Sequence, residues 1–148
     1  MATLNGATLR RWLLPAAGLL ALAALLAAAC GGGTTDSGQT PAPATFDISL
    51  ADSPSGGGSA AEFQPKEFTV AAGQKVTFNI ANAGQAVHTM RIAGRDNEYG
   101  TGDDAVVEPY TVYASQRGVL TWTAPKEPGT YNFRCDFHLE SVGTVVVK

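Results

Sequence analysis

Short runs of alternating hydrophobic and polar residues, separated by turn signals, fill the chain from Phe46 to its last residue. In the clearest run, Lys75–Ala81, the residues Val76, Phe78 and Ile80 are spaced two apart, which places them on one face of a strand. Seven or eight strands are predicted, over Phe46–Ala51, Glu67–Ala71, Lys75–Ala81, Val87–Ala93, Tyr110–Ala114, Val119–Thr123, Thr130–Cys135 and Gly143–Lys148.

These elements predict an all-β domain. Short strands with regular turns and no helical period are typical of a Greek-key antiparallel β-sandwich. Residues 46–148 suffice for one such sandwich. The aromatic residues Phe78, Trp122 and Phe133 lie within strand runs, and we expect them to pack in its core.

The first 30 residues follow a different pattern. The pair Arg10–Arg11 precedes an uncharged stretch, Trp12–Ala29, and Cys30 closes it. A basic patch, an apolar stretch and small residues make a secretory signal, and Leu26–Cys30 resembles the lipobox of bacterial lipoproteins. That resemblance implies a signal peptide over residues 1–29, cleavage before Cys30, and lipid on the cysteine sulfur.

Two other interpretations of this segment stay open: an uncleaved membrane anchor, since a span needs about 20 apolar residues, and plain secretion. Arg10–Leu14 also resembles a twin-arginine export signal. Residues 30–45 are almost entirely Gly, Thr, Ser, Pro and Ala, which predicts a flexible tether. We therefore expect the domain over residues 46–148 to lie at the outer face of the bacterial cytoplasmic membrane, held there by the lipid.

The charge pattern argues against nucleic acid as a partner. The chain has 10 basic and 13 acidic residues, a net charge of −3, and no basic run. Four of the acidic residues in the polar loop Gly94–Glu108 cluster before its end: Asp96, Glu98, Asp103 and Asp104. Their spacing matches no defined calcium loop, so we predict a solvated acidic loop that could contact a basic redox partner.

Cys135 is the only thiol left if Cys30 carries lipid. Exported domains usually pair their cysteines, and a lone thiol there is exposed to oxidation unless it is buried or occupied. His138 follows Cys135 by three residues, and the other histidine, His88, lies far upstream. These features favour a metal-ligand role for Cys135 over that of an inert buried cysteine.

Strand alternation predicts where these side chains point. Cys135 shares its face with Tyr131 and Phe133, and His88 shares its face with Met90. Thr89 and Arg91 are expected to point away from that face. A thiolate and two imidazoles are the donors that copper prefers in electron-transfer sites, so His88, Cys135 and His138 are candidate ligands for one copper ion.

Several segments resemble the cupredoxin family, the small blue copper proteins similar to plastocyanin and halocyanin. They are Val87–Thr89, Pro128–Tyr131, Phe133–His138 and Gly143–Val147, and the resemblance covers Phe46–Lys148. It implies copper bound by His88, Cys135 and His138, and one-electron transfer rather than enzymatic catalysis. It also implies a redox partner such as a cytochrome or a membrane oxidoreductase.

The chain departs from the family at the axial ligand. The family usually places a methionine a few residues after the second histidine, and here Ser141 occupies that position. Met90 is expected to pack in the core. The fourth copper position is therefore either empty or filled by Ser141, Glu140, water, or a backbone carbonyl such as that of Val87 or Gln85. Thr89 stands where the family often has Asn, and its hydroxyl could tie the two ligand loops together.

Two other functions stay open. One is a copper carrier or chaperone, although such proteins often use Met- and His-rich sequences, in which this chain is poor. The other is a metal-free binding module with the same fold. Two histidines leave no room for the additional copper centres of multicopper oxidases.

Overall fold

The computed structural model describes residues 39–53 and 61–148, which form two packed β-sheets. The strands are β1 (Ala44–Asp52), β2 (Ala61–Gln64), β3 (Glu67–Val70), β4 (Lys75–Asn82), β5 (Arg91–Ile92), β6 (Ala105–Val106), β7 (Arg117–Thr123), β8 (Gly129–Arg134) and β9 (Val142–Val147). One sheet has the order β2-β1-β4-β7 and the other β3-β9-β8-β5-β6. The predicted all-β sandwich is confirmed.

The core lies between the sheets, and the alternation of each strand explains why. In β4 every second residue is buried, and β7 repeats the pattern with Leu120 and Trp122. Phe68 of β3 meets Phe78 of β4 edge-on, with ring centroids 5.1 Å apart. Each sheet therefore covers the apolar face of the other.

Both sheets are mixed, whereas an antiparallel arrangement was predicted. β1 runs parallel to β4, and β3 runs parallel to β9. Alternation assigns each strand a buried face but carries no information about which distant strand becomes its neighbour.

Most predicted strands differ from the structure by one or two residues at their ends, and three predicted segments differ more. Val87–Ala93 and Tyr110–Ala114 were predicted as full strands, but between them they form one isolated bridge, His88 to Val112, and the short β5. Residues 88–90 are all buried, because this segment passes through the interior and both of its sides are covered. The loop Gly94–Glu108 contains β6, and β2 was not predicted.

The signal peptide over residues 1–29, the lipidated Cys30 and most of the tether lie outside the described residues. β1 begins at Ala44, two residues before the predicted start of the domain. Within residues 39–53 and 61–148, no helix is long and apolar enough to cross a membrane.

Candidate metal centre

His88 lies between β4 and β5 and is completely buried. Its backbone is fixed by two hydrogen bonds: the His88 N–H donates to the Val112 carbonyl at 3.1 Å, and the Val112 N–H donates back at 2.9 Å. The turn before it is fixed by Asn82, whose side-chain amide donates to the carbonyls of Ala86 and Val112 at 2.8 and 2.9 Å. The imidazole therefore enters the interior from a well-defined backbone.

Cys135 directly follows β8 and continues its alternation, so its thiol is buried behind Phe133, as predicted. The chain then forms a tight turn. The Cys135 N–H donates to the Ser141 carbonyl at 3.0 Å, the His138 N–H to the Cys135 carbonyl at 3.3 Å, and the Ser141 N–H to the His138 carbonyl at 2.9 Å. This turn places the His138 imidazole next to the Cys135 thiol.

The structure brings the three predicted ligands together, with their donor atoms within 4.8 Å of one another. The two Nδ1 atoms of His88 and His138 are 3.3 Å apart, and the Cys135 Sγ lies 3.4 Å from Nδ1 of His138. Metal bonds to imidazole and thiolate, ~2.0–2.3 Å at zinc, require donor atoms roughly 3–5 Å apart, which these separations satisfy. The spacing and the chemistry of the donor set both fit a single metal ion.

Asp52, the last residue of β1, contacts the far side of the His88 ring. Its Oδ1 lies 3.2 Å from His88 Nε2. An ionised carboxylate only accepts hydrogen bonds, so the imidazole proton lies on Nε2, and the Nδ1 lone pair is free to bind a metal. Burial lowers the pKa of His88 below 6.5, and the bond to Asp52 only partly offsets this. Burial thus favours the neutral ring, and Asp52 places its proton on Nε2, which together leave Nδ1 in the form that a metal requires.

Thr89 is completely buried. Its expected direction, away from the His88 face, stays a prediction; a residue on that side can be buried because the segment is covered on both sides. Its backbone N–H lies 3.5 Å from the Cys135 sulfur, within reach of a hydrogen bond to a thiolate. Its hydroxyl has no hydrogen-bond partner among the described residues, so the two ligand loops are connected by the Thr89 backbone rather than by that hydroxyl.

The axial candidates differ in burial. Ser141 is buried and Glu140 is exposed. Met90 is completely buried within the hydrophobic core, which confirms its predicted packing role. The axial ligand itself stays a prediction.

An ionic network adjoins the metal centre. Arg91 donates from Nε to Asp136 at 2.7 Å and from Nη1 to Asp104 at 2.9 Å. Asp136 also accepts from Arg134 Nε at 3.2 Å and from the Tyr110 hydroxyl at 3.1 Å. Since Asp136 directly follows Cys135, this network holds the start of the ligand turn against the loop that contains Asp104.

Neither Asp52 nor this network was predicted from the sequence. Asp52 directly follows the predicted strand Phe46–Ala51, and no pattern in the sequence links it to His88. Asp104 was assigned to a solvated acidic loop, but its side chain is 1% exposed. It accepts hydrogen bonds from the backbone of Gly94, Gly100 and Thr101. Asp136 offered one hint, its position beside the candidate ligand Cys135.

Comparison with solved structures places the fold among copper proteins. An auracyanin from Roseiflexus castenholzii is similar with a TM-score of 0.56 and 22% identity, over 73% of this chain and 99% of that one. Auracyanin A from Chloroflexus aurantiacus, described as a "blue" copper protein, gives 0.52 and 20%, over 70% and 99%. A multicopper oxidase gives 0.54 and 14%, over 73% of this chain and 45% of that one. At these identities the likeness shows the fold alone.

Comparison with curated proteins gave no significant match. The model of the cupredoxin-like domain family matches residues 19–147. This span covers most of the chain and includes all three candidate ligands. The chain therefore belongs to the cupredoxin-like domain family.

Proposed function

We propose that this protein is a mononuclear copper protein that carries single electrons between redox partners outside the cytoplasmic membrane. The observation that supports this proposal most directly is the convergence of two imidazole nitrogens and one thiol sulfur at separations of 3.3 and 3.4 Å. This soft and borderline donor set suits copper. Bound copper would supply a one-electron couple between Cu(II) and Cu(I).

The three ligands have different tasks. Cys135 provides the thiolate, and the Thr89 N–H beside its sulfur stabilises the negative charge. His88 is fixed on both sides, by the Val112 bridge and by Asp52. Donors that are fixed in this way move little when the charge of the centre changes, which favours fast electron exchange. In each cycle a reduced partner gives one electron to the centre, and an oxidised partner later takes one electron from it.

His138 provides the contact with solvent. Its side chain is half-buried, whereas His88 and Cys135 are completely buried. Exposed apolar side chains belong to the same turn or adjoin it: Phe137 (47% exposed), Leu139 (60%) and Val142 (54%). Tyr110 packs edge-on against Phe137, with ring centroids 5.7 Å apart. We call Phe137, Leu139, Val142 and Tyr110 the His138 patch. We assign this patch as the surface on which a cytochrome or membrane oxidoreductase would dock.

The location belongs to the same proposal. A lipid on Cys30, followed by the Gly- and Pro-rich tether, would keep the domain near membrane-bound partners and allow it to move between them. Mass spectrometry of the wild-type protein should show acyl groups on Cys30, and Cys30→Ala should lose them. A wild-type protein without acyl groups would refute the lipid: an uncleaved anchor then predicts that residues 1–29 are still present in the membrane fraction, and plain secretion predicts that the protein is absent from that fraction.

The copper assignment is tested on the purified full-length protein. We expect it to bind one Cu(II) and to develop an intense visible thiolate-to-copper absorption, which Cys135→Ser should abolish. The copper should stay bound through repeated cycles of reduction and oxidation. Loss of copper on reduction would favour a copper carrier instead. A folded protein that takes up no copper would refute both functions and leave the metal-free module.

A further inference from the structure

We infer that Asp52 is a positioning residue for the metal centre: its carboxylate fixes the tautomer and orientation of His88, and thereby sets copper affinity and reduction potential. This inference rests on the proposed function, because it takes His88 as a copper ligand. Asp52 lies 36 positions before His88 in the sequence, and the fold alone brings the two together.

The parallel pairing of β1 with β4 creates this contact. Its register places Leu50 beside Asn82, and the Ala83 N–H donates to the Leu50 carbonyl at 2.7 Å. The chain leaving β4 therefore passes the end of β1. Asp52, two residues after Leu50, is aligned with the turn that leads to His88.

Three hydrogen-bond donors surround the carboxylate. The Gln85 N–H donates to Oδ2 at 2.7 Å, and the Ala86 N–H donates to Oδ1 at 3.2 Å. The His88 Nε2–H reaches the same Oδ1 at 3.2 Å. Gly84 leaves space for this arrangement, since a Cβ there would lie 2.2 Å from Oδ1 and 2.9 Å from the Asp52 backbone nitrogen. Asp52 thus connects the ligand turn to the ligand ring.

Two consequences follow for the centre. Because the carboxylate accepts the Nε2 proton, the Nδ1 lone pair of His88 stays directed toward Cys135 and His138. The negative charge next to the imidazole also favours the more positively charged, oxidised state of the centre. Partners of this kind beyond the direct ligands typically change metal affinity about 10–100-fold when they are removed.

The test uses full-length variants with matched controls on the same strand. Asp52→Ala removes the carboxylate, and Asp52→Asn keeps its shape but offers one acceptor oxygen instead of two. Asp47→Ala and Asp47→Asn make the same changes at an exposed position of β1, where Asp47 accepts a hydrogen bond from Asn79 at 2.9 Å. One readout needs no metal: nitrogen-15 NMR of the His88 ring in chelator-treated protein. The others are copper affinity by chelator competition and the reduction potential.

We expect the Nε2–H tautomer of His88 in the wild type and a shift toward Nδ1–H in Asp52→Ala. Copper affinity should fall about 10–100-fold in that variant, with a smaller loss and a higher potential in Asp52→Asn. Both Asp47 variants should match the wild type. An Nδ1–H tautomer in the wild type, or unchanged tautomer and affinity in a folded Asp52→Ala, would overturn the inference.

If Asp52→Ala does not fold, Asp52→Asn decides: unchanged affinity and potential in that variant would equally overturn it. A wild-type protein that binds no copper would refute the proposed function, and the NMR result would still decide whether Asp52 fixes His88.

Discussion

Replacing Arg91 by methionine tests whether the ionic network beside the ligand turn stabilises the fold. The guanidinium makes two short hydrogen bonds, to Asp136 and Asp104, and its side chain is 18% exposed. Burial alone would lower the pKa of Arg91, but these two carboxylates outweigh it and raise the pKa. Methionine keeps much of the aliphatic packing and removes the charge.

Without Arg91, the two carboxylates keep different sets of hydrogen-bond donors. Asp136 keeps Arg134 and Tyr110 as donors, whereas Asp104 keeps only backbone groups and Thr101. Burial would raise the pKa of Asp104, and hydrogen bonds from the Gly100 N–H and Arg91 outweigh it and lower the pKa. Removing one partner of a buried pair costs about 3–5 kcal/mol. Since Arg91 is partly solvated, we expect the lower end, about 3 kcal/mol.

Urea unfolding followed by circular dichroism measures this loss in the metal-free protein. Arg91→Met should lower the midpoint without changing the slope, and Arg117→Met, an exposed position on β7, should stay within about 0.5 kcal/mol of the wild type. The double variant Arg91→Met/Asp104→Asn should be about 1–3 kcal/mol more stable than the sum of the two single losses would give, because the charged carboxylate left without Arg91 is removed as well. Equal stability of the Arg91 and Arg117 variants would show that the network contributes nothing and would refute this reasoning.

Three further predictions concern the centre and its surroundings. Burial holds the folded-state pKa of His88 below 6.5, so near and below that pH the unfolded metal-free chain binds more protons than the folded one. The free energy of unfolding should therefore fall as pH drops. Urea unfolding between about pH 7 and 5 should show a weaker pH dependence of this free energy in His88→Gln, and an equal pH dependence would contradict the prediction. Gly143→Ala would place a Cβ 2.1 Å from Phe133 Cζ and 2.6 Å from the Lys66 carbonyl and should destabilise by about 1–3 kcal/mol. Gly129→Ala, with its nearest atom at 3.6 Å, is the control, and equal midpoints would refute the steric argument. Leu139→Asp should slow electron self-exchange of the copper-loaded protein roughly tenfold or more, because like charges meet in the encounter; Val119→Asp is the exposed control, and equal rates would exclude the His138 patch as the docking surface.

The extent to which the sequence predicts this fold depends on the kind of information needed. The alternation in β4 and β8 specifies which side chains face inward, so the buried positions of Phe78, Phe133 and Cys135 were predictable. The parallel pairing of β1 with β4 was not, because it joins segments about 30 residues apart through backbone groups that every sequence carries. Thr89 shows a second limit: period-two alternation predicts exposure only where one side of the segment faces solvent.

For the site, the frequency of each residue type decides which residues were predictable. His88, Cys135 and His138 could be selected because their side chains are chemically rare in this chain. Aspartate is common, so Asp52 could be found only from the register that places it beside His88.

The geometry also explains why the two histidines differ in exposure. His88 is held by a backbone bridge and by the Asp52 carboxylate, so its completely buried imidazole is oriented without contact to solvent. The supports of His138 are the hydrogen bonds of a single tight turn, and this leaves its ring half-exposed among apolar neighbours. Electron exchange needs one ligand that a partner can approach and others that stay fixed while the charge changes. The fold meets both needs by taking His88 from the sandwich interior and His138 from a loop at its surface.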